Sequence, residues 1–542
     1  MQARDARRSA IVAAAAALAA VAAHLACGNR YGVFRDELYF LACGRHLAWG
    51  YVDQPPAIAL AARVAETLFG TSPLGLRLLA FAAHAATVVA VAALARRLGG
   101  GPFAVALAGA AALASPALLA TGHLLTMNAF EPLLWTALAL AVLRAVERPS
   151  LRRWVAVGAL VGLGLLDKYS MAFWAAALVA GLLATRERRV LAGSGVLAAA
   201  AVAAALALPN LLWQVRHGLP MLEVLRHSAG RHVPFTWAGF SLETLLEQNP
   251  LAAPLWLAGL AWLLFFPGGV PPPGPPVAPA CPRICLSTCG LEGGQAPPPG
   301  PALRTARHAW LGIAFVAVSA EIALLHGKPY YLAPAFPVLL AAGGCAVERW
   351  IRPAAARAAA LVALLASGAA VAPLAIPILP ISGLLRWQAA LGVKPSVGET
   401  LDPGALPQLF ADQTGWPELV RSVDAAWRTL PPDDRAHGAI LARNYGQAGA
   451  IDLYGPALGL PRACSGHNSY WLWGPPPQDA RTVLAIGGSR AEWERGFARV
   501  ERVGETPDSP FNMVFERREP LWLLAAPRAP LPELWSAVRA YR

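Results

Sequence analysis

The chain has 542 residues, of which 56% are hydrophobic and 14% are charged, and its mean hydropathy is +0.46. This balance excludes an ordinary water-soluble protein and is typical of a protein that crosses a membrane many times. The formal net charge of +13 comes from arginines in short clusters between apolar segments. Because nucleic-acid binding needs a basic stripe or patch, we expect a lipid bilayer and no nucleic acid as partner.

The apolar segments predict a polytopic α-helical membrane protein with about eleven spans, several of them short for the ~20 residues that a span needs. They are residues 10–27, 74–95, 102–120, 128–146, 154–166, 169–185, 190–213, 249–266, 308–325, 330–347 and 358–373. The arginine clusters fall on one side, and the positive-inside rule makes that side, with the amino terminus, cytoplasmic. An odd number of spans then places the carboxyl-terminal region outside.

The loop between the first two spans, residues 28–73, is predicted to be the outer catalytic loop. Its sequence YGVFRDELYFLACGRHLAWGYVDQPP places Asp36 and Glu37 side by side at the membrane face. Adjacent carboxylates repel each other and cost desolvation energy, so a function explains them better than folding does.

Two helices are expected along the outer face within this loop, at residues 37–48 and 55–69. Asp36 and Asp53 would each lie near a helix start, and helix capping is the alternative interpretation for both. Capping leaves Glu37 unexplained.

A further acid follows in TMNAFEPLLW, where Glu131 lies at the start of the fourth span. It is expected to face a polar cavity, or else to complement the helix dipole. Asp167 and Lys168 occupy the turn between spans five and six, where a surface ion pair is the interpretation we favour.

Basic and aromatic residues mark two other outer segments. Arg216 belongs to a basic loop that fits either an anionic ligand or anionic lipid headgroups. The motif HGKPYY contains His326, Lys328, Tyr330 and Tyr331. A lysine and tyrosine hydroxyls at the mouth of a span predict a phosphate site, with a snorkelling lysine in an aromatic belt as the alternative.

Residues 267–303 are too rich in proline and glycine to pack a core and are predicted to form a disordered cytoplasmic loop. Three cysteines recur there at intervals of four, Cys281, Cys285 and Cys289, which is weak evidence for zinc without a fourth ligand.

The last 148 or so residues, 395–542, predict a small soluble α/β domain outside the membrane, after a membrane domain of residues 1–394. Strands are expected at 438–442, 482–486 and 521–525, and helices at 416–429, 447–454 and 490–497. The turn NYGQAG suits a tight turn better than an anion site. The stretch SGHNSYWLWGP suits either a sugar face or docking onto the membrane domain.

The stretches FRDELYFLACGRHLAWGYVDQPP, TMNAFEPLLW, PNLLWQVRHG and GKPYYLAPAFPVLLAAGG resemble the signatures of bacterial membrane glycosyltransferases of the C-type fold. This family-39-like group includes the protein O-mannosyltransferases and the lipid A aminoarabinose transferases. The resemblance extends to the tail motifs NYG and GHNSYWLWGP and leaves out only residues 267–303.

The resemblance implies transfer of a sugar from a polyprenyl-phosphate donor at the outer face of the bacterial inner membrane. It implies that Asp36 is the catalytic base, with Glu37 and Glu131 as further acids, and that Lys328 and Tyr331 meet the donor phosphate. We expect the remaining substrate contacts from Asp53, Arg216, His326 and Tyr330. A divalent metal is possible, although no complete metal site is recognisable. The acceptor stays open between a glycolipid, a cell-envelope polymer and a protein.

Two other classes of function were weighed. A lipid-linked sugar transporter or flippase would have acids within its spans and an internal repeat, and the sequence indicates neither. A noncatalytic membrane scaffold would tolerate any change in the outer acids. An inverting displacement is favoured over retention, which the sequence leaves open.

Overall fold

The computed structural model describes residues 2–228, 235–266, 308–393 and 404–542. Two predictions fall outside these residues, namely the disordered loop 267–303 and the domain boundary between residues 394 and 395.

Helices form most of the described chain up to residue 393, and every apolar segment of the sequence falls on helical structure. The helices are α1 Gln2–Leu25, α2 Arg35–Arg45, α3 Ala57–Phe69, α4 Pro73–Arg97, α5 Pro102–Leu113, α6 Pro116–His123, α7 Met127–Glu147, α8 Leu151–Asp167, α9 Met171–Leu183, α10 Ser194–Arg216, α11 Pro220–Ser228, α12 Trp237–Glu247, α13 Ala253–Phe265, α14 Ala309–Leu324, α15 Phe336–Trp350, α16 Ala354–Val371 and α17 Ile381–Leu391. Short 3₁₀ segments lie at Arg186–Ala192, Pro250–Ala252, Pro329–Ala335 and Ala372–Leu374. The polytopic helical fold is confirmed.

Among the described residues, six helical segments have the length and composition to cross a membrane, or seven when α5 and α6 count as one bent span. The bend between α5 and α6 is 61° and falls where Ser115 and Pro116 end one helix and begin the next. Helices α9 and α14, and the segment Pro250–Phe265, are apolar but shorter. The prediction of about eleven spans counted these short segments as well.

Small residues let the bundle helices approach closely. On α13 and α15, a Cβ atom added at Gly259 or at Gly343 would collide with a carbonyl oxygen of the facing helix. Close backbone contact of this kind gains van der Waals packing where lipid supplies no hydrophobic driving force between helices. Larger apolar residues fill the rest of the bundle core, including Trp135 and Trp174, whose rings stack 5.2 Å apart.

His123 follows an apolar segment in the sequence, a position typical of a solvated loop histidine, but the structure buries it. Its side chain is buried at the end of α6, where its Nδ1 lies 3.2 Å from Nδ1 of His24. The other ring nitrogen of His24 lies 2.8 Å from Nδ1 of His84. The three imidazoles therefore tie α1, α4 and α6 together at one end of the bundle.

The chain after residue 404 folds around a five-stranded sheet. Its strands are β1 Gly438–Ala442, β2 Ala463–Ser465, β3 Thr482–Ile486, β4 Phe497–Glu505 and β5 Pro520–Pro527, in the order β2-β1-β3-β5-β4. β1 pairs in parallel with β2 and β3, whereas β5 runs antiparallel to β3 and β4. The helices are α18 Gln408–Ala411, α19 Trp416–Arg428, α20 Pro432–Ala436, α21 Tyr445–Tyr454, α22 Ser469–Leu472, α23 Arg490–Trp493 and α24 Leu531–Leu534, with 3₁₀ turns at Gly455–Leu458, Val514–Glu516 and Trp535–Val538.

The small α/β region was predicted, and three of its strands fall where expected. The predicted helix 490–497 ends at Trp493, and its last residue begins β4. Along the first six residues of β4 only every third side chain is buried, so this edge strand lacks the alternation that marks a strand in sequence.

The α/β region packs directly on the loop that carries the paired acids. One continuous hydrophobic cluster contains Leu38 of α2, Ala62 of α3, Trp416 of α19, Ile451 of α21 and Leu484 of β3. Helices α2 and α21 touch at Gly449, where an added Cβ would lie 2.8 Å from the Cβ of Leu38. The loop and the α/β region therefore share one core.

Candidate active site

Helix α2 begins at Arg35 and directs its first two acids to different partners. The residues of an α-helix point about 100° apart in succession, so Asp36 and Glu37 cannot face the same way. Glu37 faces the helical bundle, and Asp36 faces the α/β region.

Glu37 is fully buried in an ion pair with Arg77 of α4. Arg77 donates from Nε to Oε1 and from Nη2 to Oε2, both at 2.9 Å. The backbone amides of Leu125 and Phe34 each donate to Glu37 at 2.8 Å, one to each oxygen. A carboxylate has about four acceptor positions, and all four are used.

These contacts correct two expectations about Glu37. It does cap α2, since it accepts the amide of Phe34 at the helix start. Its four acceptor positions are occupied by protein donors, so none is left to contact a substrate hydroxyl, and the role of second catalytic acid does not fit this geometry. Glu37 and Arg77 instead fix α2 against α4 and the start of α7.

Asp36 is half-buried, and its Oδ1 accepts a hydrogen bond of 2.8 Å from the hydroxyl of Tyr445 on α21. The Tyr445 ring stacks between Tyr39, at 4.6 Å, and His467, at 4.8 Å. The guanidinium of Arg35 lies over the same ring at 4.8 Å. A neutral hydroxyl that is held by aromatic packing thus donates to Asp36.

Asp53 joins the same group and is not a helix cap. Its Oδ1 accepts from the Tyr39 hydroxyl at 2.8 Å, and its Oδ2 accepts from Nδ2 of Asn468 at 3.0 Å. Burial, with a smaller contribution from the charge of Asp36, raises the pKa of Asp53 to about 6. Burial also raises the pKa of Tyr39, so this hydroxyl stays protonated and can donate. We call Asp36, Asp53, Tyr39, Tyr445 and Asn468 the junction cluster.

Two amides of α10 hold the loop in place. Nδ2 of Asn210 donates to the carbonyl of Trp49 at 2.8 Å, and Nε2 of Gln214 donates to the carbonyl of Tyr51 at 2.9 Å. Both amides belong to the motif PNLLWQVRHG. Arg216 of the same motif is exposed at the end of α10.

Glu131 forms a second group inside the bundle. Its Oε2 lies 2.9 Å from Nζ of Lys168, which also donates to Oδ1 of Asn128 at 2.7 Å, and its Oε1 accepts from the hydroxyl of Ser170. The Lys168 ammonium lies 4.8 Å from the ring centroid of Tyr331. We call Glu131, Lys168, Asn128 and Ser170 the bundle cluster.

The expected surface ion pair between Asp167 and Lys168 is therefore wrong. Asp167 is only 3% exposed, and the partner of Lys168 is Glu131 on α7. The turn between α8 and α9 faces the interior because both helices pack against α7.

Tyr330 connects the two clusters. It lies within electrostatic range of both Asp36 and Glu131, and its ring contacts that of Tyr331 at 4.5 Å. Lys328 is half-buried two residues earlier, at the start of the turn Pro329–Ala335.

His326 is exposed and stacks on Phe235 at 4.9 Å, and no described contact joins His326 or Arg216 to either cluster. No group of three or more His, Cys, Asp or Glu side chains in the described parts of the chain has the arrangement to hold a metal ion.

Three residues that contact the predicted acids differ in how well the sequence indicates their roles. Arg77 carried a usable signal, because a charged residue inside an apolar segment is usually paired and rarely accidental. Tyr445 carried no usable signal in the sequence, because the two residues of its contact with Asp36 are 409 positions apart. Lys168 was noticed but paired with its neighbour rather than with Glu131, 37 positions away.

Comparison with known proteins agrees with this architecture. A family model described as dolichyl-phosphate-mannose-protein mannosyltransferase matches residues 53–213. A curated relative, the lipid A galacturonosyltransferase RgtD of Rhizobium johnstonii, is 29% identical over 185 residues. That alignment spans 34% of this chain and 39% of the relative, so it covers well under half of either protein.

Two solved structures share the fold over almost the full chain. ArnT from Cupriavidus metallidurans bound to undecaprenyl phosphate has a TM-score of 0.57 at 14% identity, covering 95% of this chain and 97% of that one. The same protein in the apo state has a TM-score of 0.56 at 15% identity with the same coverage. The chain thus shares the fold of ArnT over almost its full length, and residues 53–213 match the family model described as dolichyl-phosphate-mannose-protein mannosyltransferase.

Proposed function

We propose that this protein transfers a sugar from a polyprenyl-phosphate donor to an acceptor hydroxyl at the outer face of the bacterial inner membrane, with Asp36 as the general base. The observation that carries the proposal is the position of Asp36 between the two halves of the molecule. Its carboxylate bonds Tyr445 of the α/β region on one side and lies within electrostatic range of Tyr330 of the bundle on the other.

The reaction is an inverting displacement. Asp36 removes the proton of the acceptor hydroxyl as its oxygen bonds to the anomeric carbon. The bond between that carbon and the phosphate oxygen breaks, and polyprenyl phosphate leaves with the electron pair. A positioned base of this kind contributes about 10²–10⁴-fold to the rate.

The donor phosphate is proposed to lie beside Tyr330 and Tyr331, with Lys328 and Lys168 as the nearby cations. Two tyrosine hydroxyls and an ammonium can offset the charge that grows on a departing phosphate. The ArnT structure of the same fold contains undecaprenyl phosphate, which supports a lipid phosphate as the donor's carrier.

The acceptor is the least determined part of the proposal. A glycolipid, a cell-envelope polymer and a protein all offer a suitable hydroxyl. Lipid A is the acceptor to test first, because it appears in the name of the curated relative. The positive-inside rule, applied to the arginine clusters, places the loop and the α/β region on the outer face where this acceptor would be met.

The test is the substitution Asp36→Asn in the full chain, purified in detergent and supplied with polyprenyl-phosphate sugars and lipid A. We expect transfer to fall by about 10²–10⁴-fold, because an amide cannot take the proton. The product is measured by the increase in acceptor mass equal to one sugar. Glu418→Gln serves as a control, since Glu418 is a half-exposed acid in the first turn of α19 and forms a surface ion pair with Arg421.

Wild-type rates in the Asp36→Asn variant would rule out Asp36 as the base. Movement of intact donor across vesicles containing the wild-type protein, without any change in acceptor mass, would favour a lipid-linked sugar transporter instead.

A further inference from the structure

A row of aromatic rings runs from the junction cluster to a second cavity. Tyr39 stacks on Tyr445 at 4.6 Å and lies 6.4 Å from Tyr470, measured between ring centroids. Tyr470 meets Trp473 edge to face at 4.6 Å, and Trp473 stacks on His46 at 4.3 Å. Four consecutive ring contacts thus connect the partner of Asp36 to the far end of α2.

The cavity at the end of this row has a volume of about 310 Å³. Small-molecule sites in proteins have volumes of roughly 300–1,000 Å³, so this one suits a ligand of one or two sugar rings. Rings and polar side chains form part of its wall, namely His46, Asp452, Arg462, Tyr470 and Trp473. Glycine, alanine and proline residues of the strand ends and of the 474–477 turn complete it.

The polar groups of the wall are oriented by the fold. Asp452 is held by the amide of Ala463 at 2.9 Å and by the hydroxyl of Tyr470 at 2.9 Å, and it lines the cavity between them. Nδ1 of His46 lies 3.0 Å from the carbonyl of Ala42. Since a carbonyl only accepts, Nδ1 donates this hydrogen bond, which fixes the orientation of the ring.

Aromatic faces beside fixed acceptors and an exposed guanidinium are the chemistry that recognises a carbohydrate. The C–H face of a sugar ring packs on an aromatic ring, and its hydroxyl groups bond carboxylate, imidazole and guanidinium groups. Trp473 and Tyr470 supply the rings, and Asp452, His46 and Arg462 supply the polar partners.

We propose that this cavity is a saccharide subsite that binds a sugar unit of the acceptor away from the hydroxyl that reacts. The inference rests on the proposed function and adds to it that the acceptor carries a saccharide. The position of the cavity favours the acceptor over the donor as its ligand. The donor groups Tyr330 and Tyr331 lie on the bundle side of Asp36, whereas the aromatic row leaves Asp36 on the side of the α/β region.

The first experiment measures binding without turnover. The purified full chain is titrated with maltose, chitobiose and the β-1,6-linked glucosamine disaccharide, and binding is followed by saturation-transfer NMR. We expect at least one disaccharide to bind, with an affinity at least tenfold weaker in Trp473→Ala and partly retained in Trp473→Phe. Trp493→Ala is the matched control, because Trp493 is a partly buried tryptophan of the same region that does not line the cavity.

A second measurement needs no substitution. Cys464 lines the cavity and is partly exposed, so a bound disaccharide should slow its alkylation by iodoacetamide at least threefold, as followed by mass spectrometry of its peptide. Absence of binding by all three disaccharides, equal affinity in Trp473→Ala, or unchanged alkylation of Cys464 would each overturn the proposal.

The two proposals fail separately. Asp36→Asn should bind the disaccharide like the wild type, because Asp36 does not line the cavity. Normal binding together with normal transfer in Asp36→Asn would refute the base and leave the subsite standing. Normal transfer by the wild type with no saccharide binding would refute the subsite alone.

Discussion

The junction cluster and the bundle cluster both bury carboxylates, but they compensate them differently. In the junction cluster, Asp36 and Asp53 accept hydrogen bonds from neutral groups, the tyrosine hydroxyls and the amide of Asn468. In the bundle cluster, Glu131 is paired with the ammonium of Lys168 at 2.9 Å. The described hydrogen bonds of the first arrangement come from neutral donors, with the Arg35 guanidinium nearby, whereas the second contains a direct ion pair.

This difference indicates different roles for the two clusters. A half-buried carboxylate that is held by a hydroxyl donor, as Asp36 is, can receive a proton from an incoming hydroxyl, which is what a general base requires. A carboxylate that is paired with a lysine loses that pair when it is protonated, so it is better suited to hold other groups in place. We therefore assign proton transfer to the junction cluster and positioning of the donor side to the bundle cluster.

The largest effect is expected where the bundle pair is broken. Lys168→Met leaves the carboxylate of Glu131, 4% exposed, without its counter-charge. Loss of one partner of a buried ion pair costs about 3–5 kcal/mol. We expect the free energy of unfolding in detergent to fall by that amount, as measured by thermal or denaturant melts.

The double variant Lys168→Met, Glu131→Gln is the control for this prediction, because it removes both charges. Most of the lost stability should return, while transfer should stay low if the lysine also serves the donor phosphate. A single Lys168→Met variant within about 1 kcal/mol of the wild type would contradict the buried pair. Full recovery of transfer in the double variant would limit Lys168 to neutralising Glu131.

The sequence was sufficient for features that depend on neighbouring residues. Hydropathy located the helices, and the adjacency of Asp36 and Glu37 drew attention to the candidate site, because both signals lie within a few positions. The strands β1 and β3 were predicted for the same reason, since continuous apolar runs mark buried parallel strands.

Roles that depend on distant contacts could not be read in this way. Asp36 and Glu37 differ in their partners: Glu37 meets Arg77, and Asp36 meets Tyr445. The sequence alone shows neither contact. The docking of SGHNSYWLWGP onto the loop was one of two open alternatives, and the structure shows it through Asn468 and Ser469. The cavity beside Trp473 is also compatible with the other alternative, a sugar-binding face.

The stability of the folded protein should depend on pH through the junction cluster. The folded protein raises the pKa of Asp53 from 3.8 to about 6, mainly through burial. The folded state therefore binds this proton more tightly than the unfolded chain. The resulting stabilisation is complete below the unfolded value and is lost as the pH rises through about 6.

Asp53→Asn removes this titration. Relative to the wild type, the variant should gain about 1–2 kcal/mol of stability between about pH 4 and pH 7, because one pKa unit is worth ~1.4 kcal/mol and Asp53 retains some solvent contact. Melting curves at several pH values measure the difference. Asp433→Asn, whose side chain is 80% exposed, should show no such drift. A constant difference between Asp53→Asn and the wild type would mean that Asp53 is not titrating as described.

The smallest effect is expected from removing the neutral donor of Asp36. Tyr445→Phe keeps the ring between Tyr39 and His467 and loses only the hydroxyl that bonds the carboxylate. One such bond contributes about 1–2 kcal/mol, so transfer should fall by roughly five- to thirtyfold.

The pH profile distinguishes this substitution from a simple loss of packing. A hydrogen bond to the charged form of a carboxylate favours that form, so its loss should move the acid limb of the transfer profile to higher pH. Tyr454→Phe, at the other end of α21, should leave that limb in place. If the limb does not move in Tyr445→Phe although the rate falls, the hydroxyl acts through the arrangement of the loop rather than on the base. The hydrogen bond from Tyr445 would then no longer explain why Asp36 is the group that accepts the proton.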